Sequence, residues 1–490
     1  MRIGLYVLMI IVLSPICMVY RQSTHLTRVS LDVDFEISSW LVAYAIPDSS
    51  FSSLVDAFSD AKNFVEIAVY EFWSNDILEL INSTARRGVK VRILLEGNVY
   101  GVEGDEWNRY MLNKLYQLNQ SGLPVWVRLE DISGYLHMKV IIIDNSTVII
   151  GSDNYVPTAY PEDPRKIELI PYSTASRGWG VVVNCDEIAS YYHNIFSSIF
   201  FDADKSHDYD PDIDGTGSEP PSSGVLNYNP KIGRLNISNV PVAPVVSPNN
   251  SLDMILWMIN RANYTIFIEQ MYILSDNEPV AEILDALYRA VDRGVTVQVI
   301  VEDNSPGNYY EIYKDLEAHG VHVVRAFSKN SALFMHNKGL IVDDLLVLVG
   351  SINWSGSALT QNREAGLLIR SREAALYFRE IFAWDWNQSS EDLFDSDGDG
   401  LSDIYEREHD YNPHNPDTDG DGIGDWEEVF IYGNKYGGYK PEEIPEILLI
   451  LLIIVVVVIL VVVVVVIIKY PSKRKVLKRA IRKELRRRSR

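Results

Sequence analysis

LHMKVIIID, residues 136–144, and MHNKGLIVD, residues 335–343, each place a histidine, a lysine and an aspartate on an otherwise apolar run. Side chains alternate between the two faces of a strand, so the histidine and lysine of each run share one face. A polar turn and a second apolar run follow each copy, which predicts two β-hairpins. One such histidine on its own would most simply be a packing residue, but two matched sets indicate shared chemistry.

The hairpin register predicts which residues meet the histidines. The first hairpin is predicted to pair Ile143 with Thr147 across a short turn. In that register Asp153 lies opposite His137, and Asn154 returns toward the same ring. The second hairpin returns its Ser-Ile-Asn sequence toward the second histidine in the same way. Each half of the chain is therefore expected to gather one imidazole, one ammonium and one amide.

The chain contains an internal duplication around these runs. AKNFVEIAVYEF at residues 61–72 and RANYTIFIEQMYI at residues 261–273 are each followed by a helix ending at Arg-Gly and by another apolar strand. Strand–helix–strand units predict right-handed crossovers in an α/β fold with a mainly parallel sheet. We expect two repeats, at residues 30–201 and 236–388, joined by an acidic, Pro- and Gly-rich linker at residues 202–235.

Two histidines and two lysines suit phosphoryl transfer if the two halves face each other. One histidine can attack phosphorus, and the other can protonate the leaving oxygen and then activate water or an alcohol. The lysines would stabilise charge on the non-bridging oxygens. Strand parity sends Asp144 and Asp343 to the opposite face, which favours a mainly structural role for them.

The paired His-x-Lys-x4-Asp runs, each followed by a hairpin and Gly-Ser-x-Asn, resemble the signature of the phospholipase D superfamily over about residues 45–385. The resemblance implies two fused α-β-α sandwich repeats, a site between them, a phosphohistidine intermediate and no catalytic metal. The catalytic residues it implies are His137, Lys139, Asp144, His336, Lys338 and Asp343. The substrate-binding or supporting residues are Ser152, Asn154, Ser351, Asn353 and Glu364.

The two halves differ at one position. Glu364 in NREAGLLI matches a family carboxylate that supports a catalytic histidine, whereas Gly178 stands at the corresponding place in SRGWGVVV. The resemblance implies that His137 is the nucleophile and His336 the acid. The missing carboxylate leaves this assignment open.

Two acidic loops follow the second repeat. DSDGDGLSDIYE and DTDGDGIGDWEE, residues 395–406 and 417–428, match twelve-residue calcium loops with a glycine at position 6. The intervening NPHNPDTDGDG is similar to thrombospondin type 3 repeats, so we expect residues 391–432 to form a stalk holding structural Ca²⁺. The predicted ligands are Asp395, Asp397, Asp399, Leu401, Asp403, Glu406, Asp417, Asp419, Asp421, Ile423, Asp425 and Glu428.

Both ends of the chain predict a membrane protein. Residues 1–22 read as a signal sequence or signal anchor, and residues 445–468 include a 22-residue uncharged apolar run long enough to cross a bilayer. The tail at residues 469–490 carries 12 Lys or Arg and one Glu, which predicts a cytoplasmic C-terminus and an extracellular catalytic part. The expected location is the cell membrane, with one or two spans.

The net charge of the chain helps to distinguish between candidate substrates. The 468 residues before the tail carry a net charge of −34, and a nucleic acid normally requires a basic track. A phosphodiester in a phospholipid head group is therefore favoured, and a nuclease acting on single strands is the alternative. A catalytically dead, calcium-dependent adhesion protein is the non-enzymatic alternative. The sequence leaves the oligomeric state open.

Overall fold

The computed structural model describes residues 33–99, 102–169, 174–274, 278–302, 310–327, 333–389, 406, 411–420 and 422–428. The chain divides into two compact units, one formed by residues 1–396 and 402–406 and the other by residues 397–401 and 407–490. No helix in these described ranges is both long and apolar enough to cross a membrane. The expected signal segment, membrane helix and basic tail all lie outside them.

The first repeat alternates strands and helices up to its hairpin and ends with a long strand and a helix. Its strands and helices are β1 (Glu36–Ile46), α1 (Ser50–Asp60), β2 (Phe64–Val69), α2 (Asn75–Arg86), β3 (Lys90–Glu96), α3 (Val102–Gln120), β4 (Val125–Glu130), β5 (Val140–Ile143), β6 (Thr147–Gly151), β7 (Lys166–Leu169), β8 (Ala175–Asn184) and α4 (Asp186–Phe200).

The connecting segment is not only a linker, because it contains β9 (Ser206–Asp208), α5 (Pro211–Asp214) and β10 (Gly224–Asn227). β9 adds an antiparallel edge strand to β4, and β10 pairs with β7. The segment is thus ordered against the first repeat by backbone pairing.

The second repeat follows the order of the first, except for a short strand before its hairpin and a short helix where the first repeat has β7. Its strands and helices are β11 (Leu235–Ser247), α6 (Ser251–Arg261), β12 (Thr265–Gln270), α7 (Glu278–Asp292), β13 (Thr296–Val301), α8 (Tyr310–Ala318), β14 (His322–Arg325), β15 (Leu333–Met335), β16 (Lys338–Val342), β17 (Leu346–Gly350), α9 (Gly356–Thr360), β18 (Glu364–Arg370) and α10 (Arg372–Asn387). The second unit contributes α11 (Asp425–Glu427).

One 16-stranded sheet runs through both repeats in the order β14-β13-β12-β16-β17-β18-β11-β1-β8-β6-β5-β2-β3-β4-β9, with β15 paired to β8. The repeats meet where β1 and β11 pair antiparallel, so the strand order reads almost the same outward in both directions. The expectation of a mainly parallel sheet is wrong. Among the strands that the structure describes, parallel pairing is confined to those joined by crossover helices and to the short β15–β8 pair, because the hairpins and long return strands pair antiparallel.

Helix ends follow the sequence signals. Ser74 caps α2 by accepting a hydrogen bond from the amide of Ile77. The Arg-Gly ends that close α2 and α7 place Gly88 at φ 86° and Gly294 at φ 87°, in the left-handed region that glycine adopts without a Cβ penalty. The apolar faces of these helices pack on the sheet, Ile77, Leu78 and Ile81 of α2 being buried.

The aspartates of the two His-Lys-Asp runs hold the hairpin turns. Asp144 has φ 51° and its carboxylate accepts backbone hydrogen bonds from Lys62 at 2.7 Å, Asn63 at 2.7 Å and Phe64 at 2.8 Å. Asp343, with φ 54°, binds the amides of residues 263–265 in the same way at 2.8–2.9 Å. Each aspartate therefore ties its hairpin to the start of β2 or β12, where the chain enters the sheet.

We predict that Asp144→Ala lowers the free energy of unfolding by about 2 kcal/mol, because three amides lose a charged acceptor. Asp144→Asn, which tolerates the left-handed turn and keeps one acceptor oxygen, should lose less. Urea unfolding of both variants measures the difference. Equal stability of Asp144→Ala and the unsubstituted chain would contradict a structural role.

Candidate active site

His137 lies just before β5 and is held at both its backbone and its ring. The amide of Leu136 donates to Glu96 Oε2 at 2.7 Å, which fixes the approach to β5. The ring Nδ1 of His137 makes a 2.8 Å hydrogen bond with Glu364 Oε2 on β18 of the other repeat. The side chain is 14% exposed, so part of the ring reaches the solvent.

His336 occupies the equivalent place in the second repeat. The amide of Met335 donates to Glu302 Oε2 at 2.7 Å, matching the Leu136–Glu96 bond. The ring Nδ1 lies 3.3 Å from Asp153 Oδ1 of the first repeat, and the ring is 16% exposed. This contact is longer than the His137–Glu364 hydrogen bond, so the two histidines are held unequally.

The missing carboxylate at Gly178 is replaced from a neighbouring strand end. A Cβ at Gly178 would lie 1.9 Å from Asp153 Oδ2 and 2.1 Å from Ser152 Oγ, so Asp153 fills the space that a side chain there would need. Ser152 Oγ donates to Asp153 Oδ2 at 2.5 Å, and in the second repeat Ser351 Oγ donates to Glu364 Oε2 at 2.6 Å. Both serine–carboxylate pairs are therefore present, with the first carboxylate carried by a different residue.

Sequence reasoning placed Asp153 opposite His137 but gave it no role. The predicted pairing of Ile143 with Thr147 is confirmed. Asp153 nevertheless serves His336, because the contact crosses from one repeat to the other. The absence of a side chain at Gly178 together with an acid after Ser152, where the second repeat has Ile352, was the available signal.

The two lysines are buried beside the histidines. Lys139 is fully buried and Lys338 is 1% exposed, and each donates to the carbonyl of the histidine two residues before it. Burial lowers the pKa of Lys139 to about 8 and that of Lys338 to about 7. Neighbouring carboxylates, Glu364 and Asp153 among them, act against burial and keep part of this charge at neutral pH.

Burial also lowers the pKa of His137 and of His336 to about 4, and the lysines act on both rings in the same direction. Burial alone would raise the pKa of Glu364, but His137 and Lys139 outweigh it and hold that pKa below its usual value. Asp153 is held low in the same way, by His336 and Lys338 against burial. The site thus combines neutral imidazoles with ionised carboxylates on their Nδ1 side.

The asparagines after the two serines lie at the same site. Asn154 donates to Glu71 Oε2 at 2.6 Å, and Glu71 acts electrostatically on Lys139. Asn353 is 3% exposed, and no donor within the described ranges reaches its Oδ1. Tyr70, which the sequence analysis did not select, packs edge-on against His137 with ring centroids 5.1 Å apart.

Asp144 and Asp343 do not join this group. Each lies at the far end of a strand from its lysine, about 16 Å along the chain, with its carboxylate bonded to backbone amides. The inclusion of these two aspartates among the catalytic residues is corrected accordingly, since their contacts are those of turn residues.

The second acidic loop is described in part. The amides of Gly420 and Gly422 donate to Asp417 at 2.8 and 3.0 Å, and Gly422, at position 6, has φ 91° as a sharp turn requires. Both oxygens of Asp425 accept from Thr418. No three metal-binding side chains converge among the residues that the structure describes.

The remaining predicted calcium ligands fall into two groups. Asp419, Ile423 and Glu428 lie in the described part of the second loop, and in the first loop only Glu406 is described. The others lie outside the described residues, namely Asp395, Asp397, Asp399, Leu401, Asp403 and Asp421. The calcium site stays a prediction.

The fold and the crossed histidine–carboxylate pairs resemble those of phospholipase D-like proteins, and comparison with known proteins shows that family. A family model described as "Cardiolipin synthase, PLD-like domain" matches residues 54–199 and 255–386, more than half of the chain. The chain belongs to this phospholipase D-like family, whose named relatives include a cardiolipin synthase and a mitochondrial cardiolipin hydrolase.

Relatives in bacteria are similar over most of both repeats. Cardiolipin synthase A of Wigglesworthia glossinidia brevipalpis is 24% identical over 68% of this chain and 66% of its own length. Cardiolipin synthase A of Erwinia tasmaniensis is 24% identical over 66% of this chain and 64% of its own length. The matched part therefore spans just under two thirds of these relatives.

A solved structure shows the same fold. Phosphatidylserine synthase of Haemophilus influenzae Rd KW20 aligns with a TM-score of 0.51 and 15% sequence identity, covering 73% of this chain and 89% of that one.

We predict that the position of the His336 carboxylate can be exchanged. Gly178→Glu alone should abolish turnover, since its side chain collides with Asp153, and Asp153→Ile alone should lower turnover at least tenfold. The double variant Asp153→Ile/Gly178→Glu, which copies Ile352 and Glu364 of the second repeat, should recover part of the loss.

Turnover of a phosphodiester and thermal unfolding of all four proteins measure this exchange. Recovery of stability without recovery of turnover would contradict a role of Asp153 at His336. Additive losses in the double variant would do the same.

Proposed function

We propose that this chain is a membrane-anchored extracellular phosphodiesterase of phospholipase D type, acting on phospholipid head groups by hydrolysis or head-group transfer. The observation that carries the proposal is the pair of partly exposed histidines, each with Nδ1 against a carboxylate of the other repeat, beside two buried lysines. The cardiolipin synthase relatives favour a phospholipid over other diesters.

His137 is assigned as the nucleophile. Its 2.8 Å hydrogen bond to ionised Glu364 keeps the ring proton on Nδ1 and the lone pair on Nε2. With its pKa lowered to about 4, the ring is neutral at physiological pH. Nε2 attacks phosphorus, the bond to the leaving alcohol breaks, and a phosphohistidine forms.

His336 is assigned as the acid and then the base. An anionic diester between the two rings raises the pKa of His336 from its low value in the free site, so the ring can carry the proton that the leaving oxygen takes. The neutral ring then accepts a proton from water or an alcohol, which attacks phosphorus and releases His137. The same anion restores full charge to Lys139 and Lys338, which stabilise the transition state.

No step in this sequence requires a metal, and we assign Ca²⁺ to the acidic stalk alone. The hard oxygen donors of residues 417–428 and the turn at Gly422 suit that ion. We also propose that residues 445–468 anchor the chain with its basic tail in the cytoplasm.

The intermediate can be trapped. In His336→Asn, the P–O bond of a short-chain phosphatidyl p-nitrophenol should still break as His137 Nε2 attacks phosphorus, because p-nitrophenolate leaves without a proton. The phosphatidyl group stays on His137, because its release by water should stall. We expect one equivalent of p-nitrophenol in a burst and an acid-labile phosphohistidine found by mass spectrometry at His137.

His137→Asn is the matched control and should give neither burst nor adduct. The burst should survive EDTA under conditions in which the chain stays folded. An adduct at His336 in His137→Asn would reverse the two assignments. Turnover of single-stranded DNA in place of any lipid would identify a nuclease.

The pH dependence follows from the lowered pKa values. With the same p-nitrophenyl substrate, kcat/KM should rise as His137 loses its proton through about pH 4. It should fall as Lys338 and Lys139 lose their charge through about pH 7 to 8. Steady-state rates from pH 3.5 to 9.5 measure the profile, and activity still rising at pH 9 would contradict the role of the lysines.

A further inference from the structure

A polar cavity of about 460 Å³ opens next to the histidine site, at the carboxyl ends of β3 and β4. Ligands of α/β sheets commonly bind at this edge. Tyr135 and Asn362 form the side toward the catalytic residues, since Tyr135 precedes His137 by two residues and Asn362 donates to Glu364 at 3.3 Å. The catalytic mechanism above uses none of the acidic residues that line the rest of the cavity.

Glu130 is an unusual member of this lining. It is 4% exposed and pairs in register with Glu96 on the adjacent parallel strand, which places two carboxyl groups side by side. Glu96 accepts hydrogen bonds from the amides of Leu136 and Asn98, whereas no amide, amine or hydroxyl group among the described residues donates to Glu130, whose carboxyl hydrogen-bonds with that of Glu96. A buried carboxyl in this situation is costly unless a ligand or a proton compensates it.

The second repeat shows that the fold does not need this carboxyl. Glu302 accepts a hydrogen bond from the amide of Met335, as Glu96 does from the amide of Leu136. Continuing the β13–β14 register, Ala326 stands where the first repeat has Glu130. The carboxylate that accepts a hydrogen bond from the backbone before the histidine is thus common to both repeats. Glu130 has no counterpart carboxylate, since the second repeat has Ala326 at that position.

The charges around Glu130 are mainly negative. Burial and the neighbouring Glu96 raise the pKa of Glu130 to about 8, while Arg363 acts in the opposite direction. His207 bonds to Asp131 at 2.7 Å and to Asp214 at 3.3 Å, so these two acids already have a partner. With its pKa raised to about 8, Glu130 holds a proton beside Glu96 in the free cavity, and it is the carboxyl at which a positive ligand can replace that proton.

The geometry points to a primary ammonium group as the ligand: we propose that Glu130 binds the amine of an amino-alcohol head group whose phosphodiester lies at the histidines. An ammonium donates three hydrogen bonds and would take the place of the proton that Glu130 holds beside Glu96. An organic cation suits the cavity better than a divalent metal, because no three metal-binding side chains converge among the described residues. This inference rests on the proposed function and names the head group that the site selects.

The test compares short-chain phosphatidyl esters of ω-amino alcohols with the matched diol esters, from two to six carbons, using the full-length chain in detergent. Release of phosphatidic acid gives kcat/KM for each. We expect the unsubstituted chain to prefer the amine of at least one length, and Glu130→Gln to reduce that preference at least tenfold. The length at which the preference peaks reports the span from the histidines to Glu130.

Glu79→Gln on α2 removes an exposed carboxylate outside the cavity and is the matched control, expected to keep the preference. Glu130→Ala, which copies Ala326, should behave like Glu130→Gln and exclude an effect of the new amide. Equal loss on amine and diol esters in both variants, or no loss on either, would overturn the inference while leaving the phosphodiesterase proposal intact.

A binding measurement separates the two proposals. Calorimetric titration of His137→Asn with glycerophospho esters of the same amino alcohols requires no turnover. Tighter binding of the amine than of the diol ester, lost in His137→Asn/Glu130→Gln, supports the inference even if no lipid is hydrolysed. Equal binding of amine and diol esters would overturn it.

Discussion

The crossing of histidines and carboxylates between repeats is the constraint on which the rest of this structure depends. Glu364 of the second repeat holds His137, and Asp153 of the first repeat lies against His336. Neither repeat alone therefore supplies the carboxylate that lies against its histidine. The antiparallel pairing of β1 with β11 and the β15–β8 pair fix the repeats in the relation that these contacts require.

Near-symmetry in this fold leaves room for local differences. Gly178 vacates the place that Glu364 occupies in the other repeat, and Asp153 supplies a carboxylate from the end of the preceding hairpin. Glu130 stands where the second repeat has Ala326. Both changes exchange a charged for an uncharged side chain and leave the backbone pairing of the sheet in place. The scaffold can thus stay symmetric while the two sides of the site diverge.

The electrostatics of the site suit the phosphodiester that we propose as the substrate of this acidic protein. The whole chain has a net charge of −23, but the charge that matters is held on Lys139 and Lys338 inside the fold. Because their pKa values are about 8 and 7, the charge of these lysines depends on pH and on nearby negative groups. An anionic group entering the site stabilises both ammonium ions, so binding is strongest for a ligand that brings its negative charge deep between the repeats.

The sequence by itself determined the duplication, the two hairpins and the sharing of one face by histidine and lysine, because strand alternation and turn chemistry are local properties. It also indicated that Asp144 points away from the site. Only the tertiary structure decided that the sheet is mixed, that Asp153 crosses to His336 and that Glu130 faces a cavity. Those facts depend on which strands become neighbours after folding, and no spacing along a single chain records the contact of one repeat with the other.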